Sequence, residues 1–135
     1  MEELIIKAET QRLDEVLAFV DGILEQYNCP IDIQMSIDIA VEEIYVNIAH
    51  YAYNPEVGDA TIRCTVEKEP VQVIIEFMDG GVPYNPLERD DPDISLSAEA
   101  RDIGGLGIYM VKNIMDDVSY RHEAGKNIFT IQKRI

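Results

Sequence analysis

A glycine-rich turn that opens into an apolar helix stands at Gly104-Gly105-Leu106-Gly107. Backbone N–H groups at such a turn are free to bind an anion, and the positive end of the helix dipole favours a ligand such as a polyphosphate. The turn does not complete the G-x-G-x-x-G pattern of dinucleotide sites, and it lacks the Lys-Ser/Thr of a P-loop. Taken alone, it is equally compatible with a purely structural glycine turn.

A carboxylate followed by two glycines comes directly after an apolar segment, in the run Asp79-Gly80-Gly81-Val82-Pro83-Tyr84-Asn85-Pro86. A carboxylate at the end of a strand can accept a hydrogen bond from an exocyclic amine such as that of adenine. Glycines let the backbone approach a flat base closely. The alternative is an ordinary β-turn, which uses the same residue types.

Glu43 and Asn47 lie four residues apart and would share one face of a helix. The helical spacing puts Asn47 beside Ala40 and Ile44, at the margin of the apolar stripe, where a polar amide needs a partner. The alternative is that Asn47 caps a neighbouring backbone group and that Glu43 is simply solvated.

Hydrophobic spacing predicts the elements that must position these residues. Helices are predicted from an N-cap near Thr10 to before Pro30, from about 30–32 to about Tyr51, and over 105–115. Strands are predicted over 4–8, 61–67, 71–78, 118–122 and 127–132, with Val71, Val73, Ile75 and Phe77 on one face. Consecutive helices beside mostly antiparallel strands predict an α+β two-layer sandwich rather than a doubly wound sheet.

The chain of 135 residues fits one domain, since no repeat or Gly/Ser linker divides it. Residues 79–104 hold three Pro, three Gly and a cluster of acidic residues with little periodicity. A loop of this length is usually functional.

The charge of the chain limits the kinds of partner that it can bind. The sequence has 11 Lys and Arg residues and 26 Asp and Glu residues, which gives a formal net charge of −15. This charge repels nucleic acid and anionic membranes at long range. A basic protein partner or a metal-bound phosphate ligand is compatible with this charge. Two separated cysteines, an acidic N-terminus and no apolar run of about 18 residues predict a cytoplasmic protein.

The three motifs occur in one order: a helical E-x-x-x-N, then D-x-G-x-P after a strand, a long loop, and G-x-G at a helix start. Together they resemble the N, G1 and G2 boxes of the GHKL ATPase superfamily. Within that superfamily, the short chain and the runs 40–50, 79–86 and 105–116 resemble the anti-sigma-factor serine/threonine kinases of bacteria. The resemblance extends over nearly the whole chain.

This resemblance implies a Bergerat-type fold that binds ATP or ADP with Mg²⁺ under a lid at about residues 83–104, which we expect to be mobile without nucleotide. Asn47 matches the magnesium ligand of the family, and Glu43 matches the general base toward a serine or threonine hydroxyl. Asp79 matches the carboxylate that reads adenine, and Gly81 matches the close-packing glycine of its box.

The remaining residues that match the family are expected near the phosphates and near the adenine. Gly105, Leu106 and Gly107 match the phosphate-binding turn, where Lys112 and Arg101 are candidate additional charges. Thr130, on the last strand, resembles a residue near the adenine. The better-known members carry an arginine directly before the glycine turn, whereas Ile103 stands there in this chain.

The function implied is that of a protein serine/threonine kinase that phosphorylates a small anti-sigma antagonist protein and otherwise sequesters a sigma factor. The alternative is a partner-switching module that binds nucleotide without efficient phosphoryl transfer. The resemblance also implies a homodimer. Larger GHKL classes need a phosphoacceptor or transducer domain, for which 135 residues leave no room.

Overall fold

The computed structural model describes residues 1–53, 56–88 and 103–135, with the backbone alone for 103–106. In chain order the strands and α-helices are β1 (Glu2–Lys7), α1 (Leu13–Gln26), α2 (Ile31–Asn47), β2 (Asp59–Glu67), β3 (Gln72–Asp79), α3 (Ile103–Ile114), β4 (Asp117–Glu123) and β5 (Lys126–Arg134). Short 3-10 turns lie at Thr10–Arg12 and Pro86–Glu88, and a π-helical turn, Ile48–Ala52, follows α2.

The strands form one antiparallel sheet in the order β1-β2-β3-β5-β4. β2 and β3 form one antiparallel hairpin, and β4 and β5 form another. β1 pairs with β2 across the two intervening helices, with Ile6 opposite Ala60. The centre of the sheet is therefore β3, between β2 and β5.

The core lies between one face of this sheet and the helices. On β3, Val73, Ile75, Phe77 and Asp79 are buried while the residues between them are half exposed. This alternation is the period of two that a strand produces when one face is covered. The helices bury apolar side chains at spacings of three and four residues, as on α1 with Val16, Val20, Ile23 and Leu24. The α+β two-layer prediction is confirmed.

Three predicted boundaries were wrong, whereas the second helix ends within one residue of its predicted end. Thr10 does not cap α1, because a 3-10 turn precedes the helix and no side chain caps it. The second helix is α-helical only to Asn47 and continues to Ala52 as a π-helical turn. α3 begins at Ile103, two residues before the predicted start. Val71 precedes β3 and is exposed, so it does not join the buried face.

Candidate functional site

A cavity of about 720 Å³ opens between the helical layer and the β3–β5 side of the sheet. Its walls are mostly apolar, with a few polar groups that converge on it, which is the usual character of a small-molecule site. It is lined by Ile44, Asn47, Ile48, Tyr51, Ala52, Phe77, Asp79, Val82, Pro83, Tyr84, Pro86, Ile108, Tyr120, Asn127 and Phe129. Asn47 and Asp79, predicted from separate motifs 32 residues apart, thus lie on the same cavity.

Asp79 is the buried carboxylate of this cavity. Its Oδ1 accepts hydrogen bonds from the N–H of Gly81 at 2.9 Å and from Nδ2 of Asn127 at 2.9 Å. Its Oδ2 has no hydrogen-bond partner within the described parts of the chain. One oxygen is therefore fixed by the protein, and the other is available to a donor on a ligand.

Asn127, opposite Asp79 in the register of β3 and β5, is also buried. Its Nδ2 donates to the carbonyl of Val82 at 3.0 Å as well as to Asp79. Its Oδ1 accepts from the N–H of Tyr84 at 3.2 Å and from the hydroxyl of Tyr120. One side chain thus connects the carboxylate to both ends of the 82–84 segment.

The end of the second helix holds the loop after β3 in place. The carbonyl of Ala52 accepts the N–H of Val82 at 3.2 Å, and it lies so close to Gly81 that a Cβ there would overlap it. The hydroxyl of Tyr53 accepts the N–H of Gly80 at 2.7 Å and donates to the carbonyl of Asp59 at 2.7 Å. Burial raises the pKa of this hydroxyl, so it stays a neutral donor. A residue with a side chain would therefore not fit at Gly81.

Glu43 and Gly107 meet where α2 crosses α3. A Cβ on Gly107 would overlap Oε2 of Glu43, so the absence of a side chain is what makes room for the carboxylate. Asn47 lies one turn further along α2, half buried, and its amide has no hydrogen-bond partner among the described residues. The carboxylate of Glu43 and the amide of Asn47 are thus one helical turn apart on α2, and Asn47 lines the cavity.

The glycine turn is placed differently from its prediction. Since α3 begins at Ile103, Gly105 and Leu106 belong to its first turn, whose N–H groups have no partner within the helix. Gly107 follows this turn and packs against Glu43 instead. The backbone that can receive an anion is therefore 103–106.

Thr130 does not belong to the cavity. It lies opposite Glu76 on β3, one residue out of phase with Phe129 and Phe77, so its side chain is on the other face of the sheet from Asp79. Asn127, missed by the sequence analysis, takes the position beside the carboxylate. The strand pattern predicted residue 127 as a strand start and held no signal for this contact.

Arg101 and most of the predicted lid, residues 89–102, lie outside the described residues. The start of the lid is described: Tyr84 faces the cavity, and Leu87 packs against the core. Within the described ranges there is no group of three or more His, Cys, Asp or Glu side chains that could hold a metal ion. In the same ranges no helix is both long and apolar enough to cross a membrane.

The sheet, the helices on one of its faces and the carboxylate at the end of β3 define an α+β ATPase-like class of protein. Residues 6–133 match the family model described as the histidine kinase-like ATPase domain. The chain belongs to this family, as the three motifs predicted.

Two curated relatives carry the same name. The chain is 25% identical over 130 residues to the serine-protein kinase RsbW of Bacillus mycoides, with 93% of this chain and 80% of the relative covered. It is 26% identical over 128 residues to the serine-protein kinase RsbW of Bacillus cereus, with the same coverage. The predicted resemblance to serine kinases of the anti-sigma type is confirmed by these relatives.

A solved structure shares the fold. The structure of the SiaB–SiaC complex from Pseudomonas aeruginosa contains a chain that matches with a TM-score of 0.61 and 14% identity. The match covers 98% of this chain and 89% of the other. At this identity, the likeness concerns the fold.

Proposed function

We propose that this chain is an ATP-dependent serine/threonine protein kinase of the anti-sigma type, which phosphorylates a small antagonist protein and in its other state sequesters a sigma factor. The observation that carries the proposal is the convergence of Asp79 and Asn47 on one cavity, which Ile108 of α3 also lines. The RsbW serine-protein kinases to which the chain is similar support the same activity.

The cavity supplies the parts that an adenine nucleotide requires. Oδ2 of Asp79 accepts a hydrogen bond from the exocyclic amine, and Phe77, Ile44 and Ile108 offer apolar walls to the base. The N–H groups of the first turn of α3 receive phosphate oxygens, assisted by the helix dipole. The chain therefore binds the base at the sheet and the phosphates at α3.

Glu43 is the proposed general base. Its carboxylate lies beside Gly107, directly after the first turn of α3, and this contact supports a role in accepting the proton of a serine or threonine hydroxyl. Asn47, on the same helix face, orients the phosphate end through its free amide oxygen.

The donor set fits Mg²⁺. This ion is usually held by one or two protein oxygens together with substrate phosphates rather than by a cage of protein ligands. Asn47 offers one such oxygen, free of protein partners within the described chain. When bound, the ion would neutralise phosphate charge, which a protein with a net charge of −15 needs.

Calorimetric titration with ATP and ADP tests the nucleotide site. We expect Asp79→Asn to weaken the binding of both nucleotides about tenfold or more. The variant lacks the second carboxylate oxygen that would accept the hydrogen bond from the adenine amine. Asn47→Ala should weaken binding only when Mg²⁺ is present. Asn113→Ala, an exposed asparagine on α3, is the matched control. Wild-type protein that binds neither nucleotide would refute the site.

The transfer step has its own test. Incubation of the protein with radiolabelled ATP and the soluble proteins of the source cell should label a small acceptor on serine or threonine. Glu43→Gln should lower this labelling about a hundredfold or more, whereas Glu42→Gln, one residue away and exposed, should not. Labelling that Glu43→Gln leaves unchanged would exclude Glu43 as the base. Nucleotide binding without labelling in wild type would favour the partner-switching module.

A further inference from the structure

Asn127 is the most heavily bonded side chain at the cavity. Its amide uses both hydrogens, toward Asp79 Oδ1 at 2.9 Å and the Val82 carbonyl at 3.0 Å. Its oxygen accepts both the N–H of Tyr84 and the hydroxyl of Tyr120. The full hydrogen-bonding capacity of an asparagine is therefore satisfied inside the protein.

The orientation of this amide is determined by its neighbours. The backbone N–H of Tyr84 can only donate, and the carbonyl of Val82 can only accept, so the oxygen must face Tyr84 and the nitrogen must face Val82. Asn127 therefore presents a hydrogen to Asp79 and cannot rotate to present its oxygen without leaving buried groups unpaired.

We infer that Asn127, oriented by Tyr84 and Val82 and held by the Tyr120 hydroxyl, is the positioning residue that makes Asp79 selective for 6-amino over 6-oxo purines. By occupying Oδ1 it leaves Oδ2 as the oxygen that meets the ligand. A 6-oxo purine presents a carbonyl oxygen at the same place. This oxygen and Oδ2 of Asp79 are both acceptors, with no proton between them. The inference rests on the proposed nucleotide site and adds the residue that sets its base selectivity.

The substitution Asn127→Asp provides a pH-dependent test. It replaces the amide nitrogen by an oxygen at 2.9 Å from Oδ1 of Asp79, and two carboxylates at that distance share a proton or repel each other. At about pH 8 the shared proton is lost, and Asp79 is pushed out of position. At about pH 5.5 the proton restores one of the two lost hydrogen bonds.

The titratable groups around residue 127 determine the controls. Asp79 faces it from β3, Tyr120 and His122 from β4, and Tyr53 and Lys126 lie beside the adjoining loop. Comparing variant with wild type at each pH removes the contributions of these unchanged groups and of the phosphates.

The measurement is the affinity for ADP and for inosine diphosphate, which carries the 6-oxo group, at both pH values. In the wild type, ADP should bind about tenfold or more tightly than inosine diphosphate. Asn127→Asp should weaken ADP about tenfold at about pH 8, and most of this loss should disappear at about pH 5.5. Asn113→Asp adds the same charge on exposed α3 and should change neither affinity.

Two further variants keep the test decisive if Asn127→Asp fails to fold. Tyr120→Phe removes one donor to the amide oxygen and should lower the ratio of the two affinities at either pH. Asn127→Ala should lower this ratio without any recovery in acid. Ratios that both variants leave unchanged would overturn the role of Asn127 alone. Wild-type protein that binds neither diphosphate would overturn the nucleotide site and this inference with it.

Discussion

Asp38 shows how the position of a single carboxyl group between two helices changes its chemistry. Burial, followed by a hydrogen bond to Asp21 and the charge of that residue, raises the pKa of Asp38 from 3.8 to about 8. Between these values the folded protein holds a proton that the unfolded chain has released. The free energy of unfolding therefore falls as the pH rises through this window and levels off above it.

Replacing Asp38 by Asn should remove this dependence, because Asn imitates the protonated acid at every pH. We expect the variant to match the wild type near pH 4 and to be more stable by about 1 kcal/mol near pH 8, after allowance for solvent screening of a half-exposed pair. Urea unfolding at several pH values measures the difference. Glu42→Gln, an exposed carboxylate on the same helix, should show no such gain. A difference that stays constant with pH would mean that Asp38 is ionised in the folded protein.

Residue identity alone predicted only part of the candidate site. Asp79 and Asn47 were found because each belongs to a local motif, and the structure brings both to one cavity. Asn127 was missed because its importance depends on a cross-strand register between residues 48 apart. Thr130 was misplaced because a shift of one position along a strand reverses the face of the sheet. The roles assigned to Glu43 and Asn47 stay predictions.

At the scale of elements, Gly107 makes room for the Glu43 carboxylate where α2 crosses α3. Gly107→Ala should leave the free energy of unfolding within about 1 kcal/mol of wild type, because alanine favours the helix and the displaced atom is the end of a flexible side chain. The same change moves the Glu43 carboxylate, so phosphoryl transfer should fall about tenfold or more. Gly22→Ala on α1, where a Cβ meets nothing within 4 Å, should stabilise without affecting transfer. Equal effects of the two substitutions on phosphoryl transfer would contradict a role of the contact between Gly107 and Glu43 in that step.

The types of the elements could be read from periodicity, but their ends could not. Alternation along 72–79 and spacings of three and four along α1 and α2 identified strands and helices correctly. The ends are set by contacts that a local pattern does not contain. The π-helical turn after Asn47 places the Ala52 carbonyl against Gly81, and α3 begins at Ile103 despite the low helix propensity of its glycines.

For the whole molecule, charge is the property that sequence predicts most directly, and the fold distributes it unevenly. From 13 to 62, a stretch that includes both α1 and α2, the chain has no Lys or Arg but has ten acidic residues: Asp14, Glu15, Asp21, Glu25, Asp32, Asp38, Glu42, Glu43, Glu56 and Asp59. Several basic residues lie instead on the sheet, where Arg63 pairs with Glu3 and Arg121 pairs with Glu76. The layer formed by α1 and α2 therefore carries charge of one sign, whereas α3 carries Lys112.

Self-repulsion of this layer opposes folding, and salt screens it. Raising NaCl from about 0.05 M to about 0.5 M shortens the Debye length from about 14 Å to about 4 Å. The repulsion between neighbouring carboxylates then weakens more than the attraction within the few short ion pairs of the sheet. The melting temperature of the nucleotide-free protein should therefore rise by several degrees. Scanning fluorimetry measures the shift, and Glu25→Lys on α1 should raise the melting temperature at low salt and reduce its salt dependence. A melting temperature that falls with NaCl would mean that the ion pairs of the sheet outweigh the repulsion of the helices.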